Sequence, residues 1–234
     1  MKIDLRKKVS KSFLNILNSV SRSGDSIGVD VCLVGGPVRD IFLGRDNHDL
    51  DFVIEGDAIS FAEKLNSQLK GSVKKHPAFK TATITLKKIS IDLATARKES
   101  YERIASYPKV KPASIREDLY RRDFTINAMA IALNKKTFGN LVDFYNGYND
   151  LMGKKIKILH KDSFKDDPTR IFRAVRFATR FDFKIDDKTK SLMKEAVMKG
   201  YVGEVNKGRI RKEIEAFLRE KDPLKCLASF SKLM

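Results

Sequence analysis

Two glycines followed at short range by two aspartates one residue apart constrain this chain more than any other feature. The run reads Val34-Gly35-Gly36-Pro37-Val38-Arg39-Asp40, then, after Ile41 to His48, Asp49-Leu50-Asp51-Phe52-Val53. Val31 to Val34 and Leu50 to Ile54 are apolar runs of strand length, and Pro37 to Leu43 suits a short helix with proline near its first turn. Residues i and i+2 of a strand point to the same face, so Asp49 and Asp51 are expected to converge on one spot. Hard oxygen ligands gathered this way suit Mg²⁺, which is held by one or two carboxylates plus substrate phosphates. The glycines offer backbone N–H groups with no side chain in the way, leading into a helix N-terminus, which suits the phosphates. Metal and triphosphate are therefore expected to share one pocket. A lone Asp-x-Asp is most often a surface turn, and a lone Gly-Gly says less. The combination, with an apolar strand before each, is the more specific signal.

Charge points to the kind of partner. Lys and Arg total 47 against 30 Asp and Glu, a formal net charge of +17. Such a surplus favours a polyanion, through phosphate contacts and counterion release, and nucleic acid is the expected partner. The positive residues are spread along the chain rather than packed into a tail. No apolar run has the length of a membrane span, and Met1-Lys2-Ile3-Asp4-Leu5-Arg6 lacks a secretory apolar stretch, so a cytoplasmic protein is expected. Cys32 and Cys226 lie far apart with no Cys or His at metal spacing, which argues against a disulfide framework or a zinc site.

The pattern divides the chain. Apolar residues at helical spacing mark 5–20, Ala58 to Leu69 reads as a helix, and 81–86 and 89–94 read as strands. Residues 98–113 carry Pro108, Pro112, Tyr101 and Tyr107 without a clear period and read as a long loop. From Ser163 the period is helical, with helices expected near 168–181, 187–199, 206–219 and 223–233. An α/β domain over 1–155 followed by an all-α domain over 156–234 is the expected organisation.

Further clusters carry chemistry. In Arg121-Arg122-Asp123-Phe124-Thr125-Ile126-Asn127, two arginines beside an aspartate can clamp a triphosphate and bind a ribose hydroxyl. A surface salt-bridge cluster at a helix start is the plainer reading of the same residues. Asp92, between Ile91 and Leu93, is a carboxylate that strand burial would penalise unless paired. It is either a third acid near the metals, a general base, or the ion-pair partner of Arg97 or another arginine. Asp166-Asp167-Pro168-Thr169-Arg170 suits a helix cap. Asp167 and Arg170 also stand three apart and would share a helical face, an acceptor beside a donor that can imitate the pairing edge of a base. Arg173, Arg176 and Arg180 form an arc that is most simply a solvated face; with this net charge the arc also suits a nucleotide or an RNA backbone. His48, His76 and His160 lack ligand geometry.

The Gly-Gly/Asp-x-Asp signature resembles the nucleotidyltransferase superfamily. Val38-Arg39-Asp40, Leu43-Gly44 and the decapeptide from Arg121 resemble the class II tRNA nucleotidyltransferases and bacterial poly(A) polymerases. The resemblance runs from about residue 31 to about residue 219. It implies a polymerase β-like α/β head with a mixed sheet and a helical neck. It also implies a template-independent enzyme that adds CCA, or the terminal A, to the tRNA 3′ end from CTP and ATP by two-metal chemistry. On that resemblance Asp49 and Asp51 hold Mg²⁺, and Asp92 is an acid of the catalytic set. Gly35, Gly36, Arg39, Arg122 and Asn127 serve the phosphates or sugar, and Asp123 binds the ribose 2′-hydroxyl. Asp167 and Arg170 select the base, with Asp166 in place of the family's usual Glu. By charge rather than by resemblance, Arg173 and Arg176 are expected to touch the nucleotide. Asp143-Phe144-Tyr145-Asn146-Gly147 is similar to the connector between head and neck, and Arg209 and Glu213 to an Arg-x-x-x-Glu motif that braces the neck. The loop 98–113 would help position the base. Poly(A) polymerase and a non-catalytic basic RNA-binding module of the same fold are the competing readings. Family members usually carry further helical body and tail segments. A chain ending at Met234 is expected to bind nucleotides but to hold tRNA weakly, with steep salt dependence.

Overall fold

The computed structural model describes residues 1–45, 49–87 and 89–232. It separates into two compact units: 1–98, 110–122 and 127–145 form the first, and 99–109, 123–126 and 146–234 the second. The division is therefore not a single cut near 155. Two short segments, one of them Asp123 to Ile126, leave the first unit and belong to the second.

The first unit is built on a mixed seven-stranded sheet of order β3-β4-β5-β2-β1-β8-β9. Its strands are β1 (Val31–Val34), β2 (Asp49–Ile54), β3 (Ser72–His76), β4 (Thr81–Leu86) and β5 (Ile89–Thr95), with β8 (Ala130–Ala132) and β9 (Leu141–Val142). Two further strands, β6 (Arg97–Ser100) and β7 (Lys109–Pro112), form a separate two-stranded sheet. The segment expected to be irregular over 98–113 thus has strands at both ends. β2 and β5 are parallel neighbours, and β1 is antiparallel to both β2 and β8. Register explains the strand patterns. Ile84 of β4 pairs with Ile91 of β5, which pairs with Leu50 of β2; Ala82, Leu93 and Phe52 form the next row. All six are buried on one face of the sheet. The alternate positions fall on the other face, which is where the acids of β2 and β5 lie.

Helix α1 (Lys11–Ile27) replaces the helix expected over 5–20. Ser10 accepts from the Phe13 N–H at its start, and Gly28 closes it in the left-handed region at φ 69°. Gly24 lies inside this helix, and a Cβ there would meet Val31 Cγ2 at 2.9 Å, so glycine allows close packing on β1. Helix α2 (Gly36–Leu43) follows β1 directly, and α3 (Ala58–Leu69) buries Phe61, Ala62 and Leu65. Helix α4 (Ile115–Tyr120) starts on a Ser114/Glu117 capping box. Cys32 is buried in β1, and burial pushes its thiol up to about 12, which leaves it unreactive.

The second unit is mostly helical but not all-α. Helices α5 (Gly147–Met152), α6 (Ser163–Asp166), α7 (Arg170–Phe181), α8 (Asp187–Met198), α9 (Lys207–Leu218) and α10 (Pro223–Ser231) are joined by a short parallel ladder. That ladder pairs β10 (Lys155–Ile156) with β11 (Lys184–Ile185). Two-residue strands carry almost no periodic signal, which is why the sequence reads as helix alone. Phe172 of α7 stacks on Phe230 of α10 and tilts against Phe217 of α9, so aromatic burial holds these three helices together. No described helix is long and apolar enough to cross a membrane.

Candidate active site

The acids of the first unit meet across a strand pair. Asp51 of β2 is the register partner of Asp92 of β5, and Asp49 pairs with Ser90. Register partners on neighbouring strands sit about 5 Å apart and share a face. Asp92 is exposed on that face, between the buried Ile91 and Leu93, so alternation removes the burial penalty that its apolar neighbours suggest. Its Oδ1 accepts from Thr83 Oγ1 at 2.6 Å. Asp49 opens β2 two positions before Asp51, while its side chain and His48 lie outside the described residues. Extending the β1–β2 register by one residue brings Val34, the residue before Gly35, opposite Asp51. The glycine turn therefore begins beside the acids.

Gly35 adopts φ 72° and ψ −132°, a conformation open only to glycine, and starts α2 without a side-chain cap. The N–H groups of the first helical turn thus have no capping oxygen from Gly35. Packed on this turn is Arg122: a Cβ at Gly35 would lie 2.8 Å from its Nη1. Arg39 is 6% exposed and already engaged. It donates to both carboxylate oxygens of Asp40, and its Nη1 donates to Asn127 Oδ1 at 2.6 Å. Arg39 and Asn127 therefore tie α2 to the segment before β8. Asp118 holds the arginines. Burial alone would push its carboxyl up, but Arg122 and Arg121 outweigh this and hold it below the usual range.

In the second unit, Asp123 is buried, and its Oδ2 accepts from Arg173 Nη2 at 2.6 Å and Nε at 2.9 Å. The arginine arc is not a simple solvated face. Arg173 and Arg176 lie 3.9 Å from Glu213, and Arg176 and Arg180 pair with Glu220. All three guanidiniums also lie over the Phe177 ring. Arg176 Nε and Glu213 Oε2 are buried without hydrogen bonds. Burial pushes the Glu213 carboxyl up despite the neighbouring Arg173 and Arg176.

Asp167 and Arg170 do not share a helical face. Asp167 is extended at φ −142° between α6 and α7, and α7 begins only at Arg170. Asp167 Oδ1 accepts from Thr169 N at 2.9 Å, Thr169 Oγ1 at 2.6 Å and Arg209 Nη2 at 2.7 Å. Arg209 Nη1 also donates to the Ala105 carbonyl at 2.8 Å. Arg209 and Glu213, one turn apart, thus serve different partners rather than each other. Arg170 is buried and donates to Ser163 Oγ at 2.7 Å.

His160 makes a testable pH element beside Arg170. Burial pushes it down to about 4, and the Arg170 charge acts in the same direction. Its pKa in the unfolded chain is about 6.5. The unfolded state therefore binds the proton more tightly, so this contribution to stability is complete above pH 6.5 and is lost as pH falls toward 4. Asp166, 3.8 Å away, is pushed up by its own burial and acts with the opposite sign. Melting temperatures are expected to fall more steeply between pH 6.5 and 4 for the unsubstituted chain than for His160→Gln. Parallel curves would rule the effect out.

Residues 31–157 match the Poly A polymerase head domain profile, more than half of the chain. The chain belongs to the poly A polymerase head domain family. It is similar to the A-adding tRNA nucleotidyltransferase of Aquifex aeolicus, 48% identical over 86% of this chain and 24% of that protein. A solved structure described as a CCA-adding enzyme with ATP superposes with a TM-score of 0.91 at 44% identity, covering 100% of this chain and 53% of that one. A Thermotoga maritima CCA-adding enzyme complexed with tRNA superposes with a TM-score of 0.88 at 45% identity, covering 98% and 52%. The chain thus spans about a quarter of the first relative and about half of the other two.

The head domain family implies a divalent metal. The residues fit one: Asp51 and Asp92 present hard, acceptor-only oxygens side by side on the open face of the sheet, the donor set of a site that substrate phosphates complete. Among the described residues no group of three or more His, Cys, Asp or Glu gathers at a metal site. Sequence reasoning passed over Asp118, Thr83 and Glu220. Asp118 was within reach, because it stands three and four residues before Arg121 and Arg122, the spacing of helical ion pairs. Thr83 and Glu220 act across strand and helix pairings that no local spacing reveals.

Proposed function

We propose that this chain carries the catalytic part of a cytoplasmic, template-independent tRNA nucleotidyltransferase. It transfers AMP, and CMP in a CCA-adding member, from the nucleoside triphosphate to the RNA 3′-hydroxyl. The observation that carries this reading is the register pairing of Asp51 with Asp92, beside a strand that runs into the uncapped Gly35 turn.

The roles are assigned on the family resemblance together with the geometry above. Asp49, Asp51 and Asp92 hold Mg²⁺, which when bound lowers the pKa of the 3′-hydroxyl and offsets charge at the leaving oxygen. The 3′-hydroxyl gives its proton to solvent as its oxygen attacks the α-phosphorus, the bond from the α-phosphorus to the bridging oxygen breaks, and pyrophosphate leaves. The α2 N-terminus and Arg122 receive the triphosphate. Arg39 and Asn127 shape this seat. Asp123, steadied by Arg173, serves the ribose hydroxyl, and Arg176 sustains the acid–arginine network behind it. Asp167 and Arg170 read the base. Asp167 Oδ1 is taken by Thr169 and Arg209, so Oδ2 is the oxygen offered to an exocyclic amino group. Adenine and cytosine both pair an amino donor with a ring-nitrogen acceptor, which suits a carboxylate beside a guanidinium. Guanine and uracil reverse that order. The net charge of +17 supports the RNA partner.

The test is incubation with labelled ATP or CTP and tRNAs ending at successive positions of the CCA tail. Addition that stops at the terminal A supports the proposal, while an extended A tract would support the poly(A) polymerase reading. No incorporation with any of these RNAs would favour a non-catalytic module. In the same assay Asp167→Asn is expected to lower discrimination of ATP over UTP by roughly 10- to 100-fold, since an amide can present a donor where the carboxylate could not. Unchanged discrimination would remove Asp167 from base selection.

A further inference from the structure

We propose that Asp118 is a positioning residue for the triphosphate: its buried carboxylate fixes the Arg122 guanidinium against the Gly35 turn, in the orientation that receives phosphate oxygens. The inference rests on the nucleotide reading above and adds a residue to it.

Asp118 is 0% exposed, and a buried carboxylate is costly unless paired. Its Oδ1 accepts from Arg121 Nη2 at 2.8 Å, Arg121 Nε at 3.1 Å and the Arg97 backbone N–H at 3.2 Å. Its Oδ2 accepts from Arg122 Nη2 at 3.0 Å. One carboxylate thus faces two guanidiniums, and the cluster keeps a surplus positive charge. Arg121 occupies Oδ1, which leaves Oδ2 for Arg122. This division sets the rotation of the Arg122 guanidinium.

Among the described residues the remaining donors of Arg122 have no hydrogen-bond acceptor. Nη1 packs on Gly35, at 2.8 Å from where a Cβ would stand. Nε is buried and among the described residues has no hydrogen-bond partner. A buried donor without an acceptor is unfavourable in the chain alone, and an arriving phosphate oxygen relieves it. The same turn offers the helix α2 N–H groups, uncapped by any side chain. An anion placed there meets backbone and guanidinium donors together. A purely structural Asp118 would hold α4 to the β5 end through Arg97 and Arg121. It would not account for an Arg122 left with free donors over an empty-sided glycine.

The experiment measures equilibrium binding of ATP and AMP, with Mg²⁺, to the whole chain and three variants: Asp118→Asn, Arg122→Ala and the double substitution. Asp118→Asn is expected to weaken ATP binding roughly tenfold with little change for AMP, because the lost contact lies at the outer phosphates. The double variant should bind ATP no more weakly than Arg122→Ala, since Asp118 acts through Arg122. Equal loss of ATP and AMP, or additive losses in the double variant, would show a general structural role and overturn the proposal. Should Asp118→Asn fail to fold, Asp118→Glu keeps the charge and is read the same way, by its ratio of ATP to AMP affinity. ATP binding that neither Asp118 variant weakens would overturn this inference alone. Absence of ATP binding by the unsubstituted chain would overturn the nucleotide reading as well.

Discussion

Asp51→Ala is expected to lower ATP incorporation into RNA by about a thousandfold or more, with the melting temperature nearly unchanged. The asymmetry follows from where Asp51 sits. It lies on the open face of β2 beside the Asp92 carboxylate, not among Leu50, Phe52 and Ile54 of the core. Removing it empties no cavity in the core. It also halves the described carboxylate pair. Radiolabelled ATP incorporation and a thermal melt on the same preparation check both halves. Activity within tenfold of the unsubstituted chain would remove these acids from catalysis. A large fall in melting temperature would instead make Asp51 a structural residue.

Gly35→Ala carries the second large effect, and it should strike activity and stability together. At φ 72° and ψ −132° an L-residue is strained by about 1–3 kcal/mol. The added methyl group would also stand 2.8 Å from Arg122 Nη1, so the guanidinium must move and its bond to Asp118 must stretch. For a chain of this size the strain alone lowers the melting temperature by about 2–12 °C. Incorporation of ATP is expected to fall roughly a hundredfold, because the seat for the phosphates is filled and its arginine displaced. Gly28→Ala is the control. Gly28 is also left-handed, at φ 69°, but no atom lies within 4 Å of its added Cβ and it ends α1 away from the acids. It should cost about 1 kcal/mol and spare activity. Equal inactivation by both would mean that backbone strain, not the turn at Gly35, explains the loss.

Much of the first unit could be read before any coordinates. The apolar run from Val31 and the alternation after Asp49 identify two buried strands, and Gly36–Leu43 is helical where Pro37 suggests a first turn. Gly44 ends that helix in the left-handed region, as a glycine at that place should. The arginines and Asp167 were less legible. Arg173, Arg176 and Arg180 have the spacing of a polar helix face, yet Asp123, Glu213 and Glu220 take them from 37 to 50 residues away in the chain. Asp167 has helical spacing to Arg170, but Thr169 captures its carboxylate two residues on and the backbone there is extended.

The amino-acid sequence by itself settled the local elements and the placing of Asp49 and Asp51 two apart on one strand. These depend on contacts within a few residues, where strand and helix periods are set by bond geometry. The tertiary structure alone decided that Asp92 stands beside Asp51, that Arg122 rests on Gly35 under the hold of Asp118, and that the arginine arc is paired. Strand pairing, side-chain packing and buried ion pairs join residues far apart in the chain, and no local period records which of many compatible partners they meet.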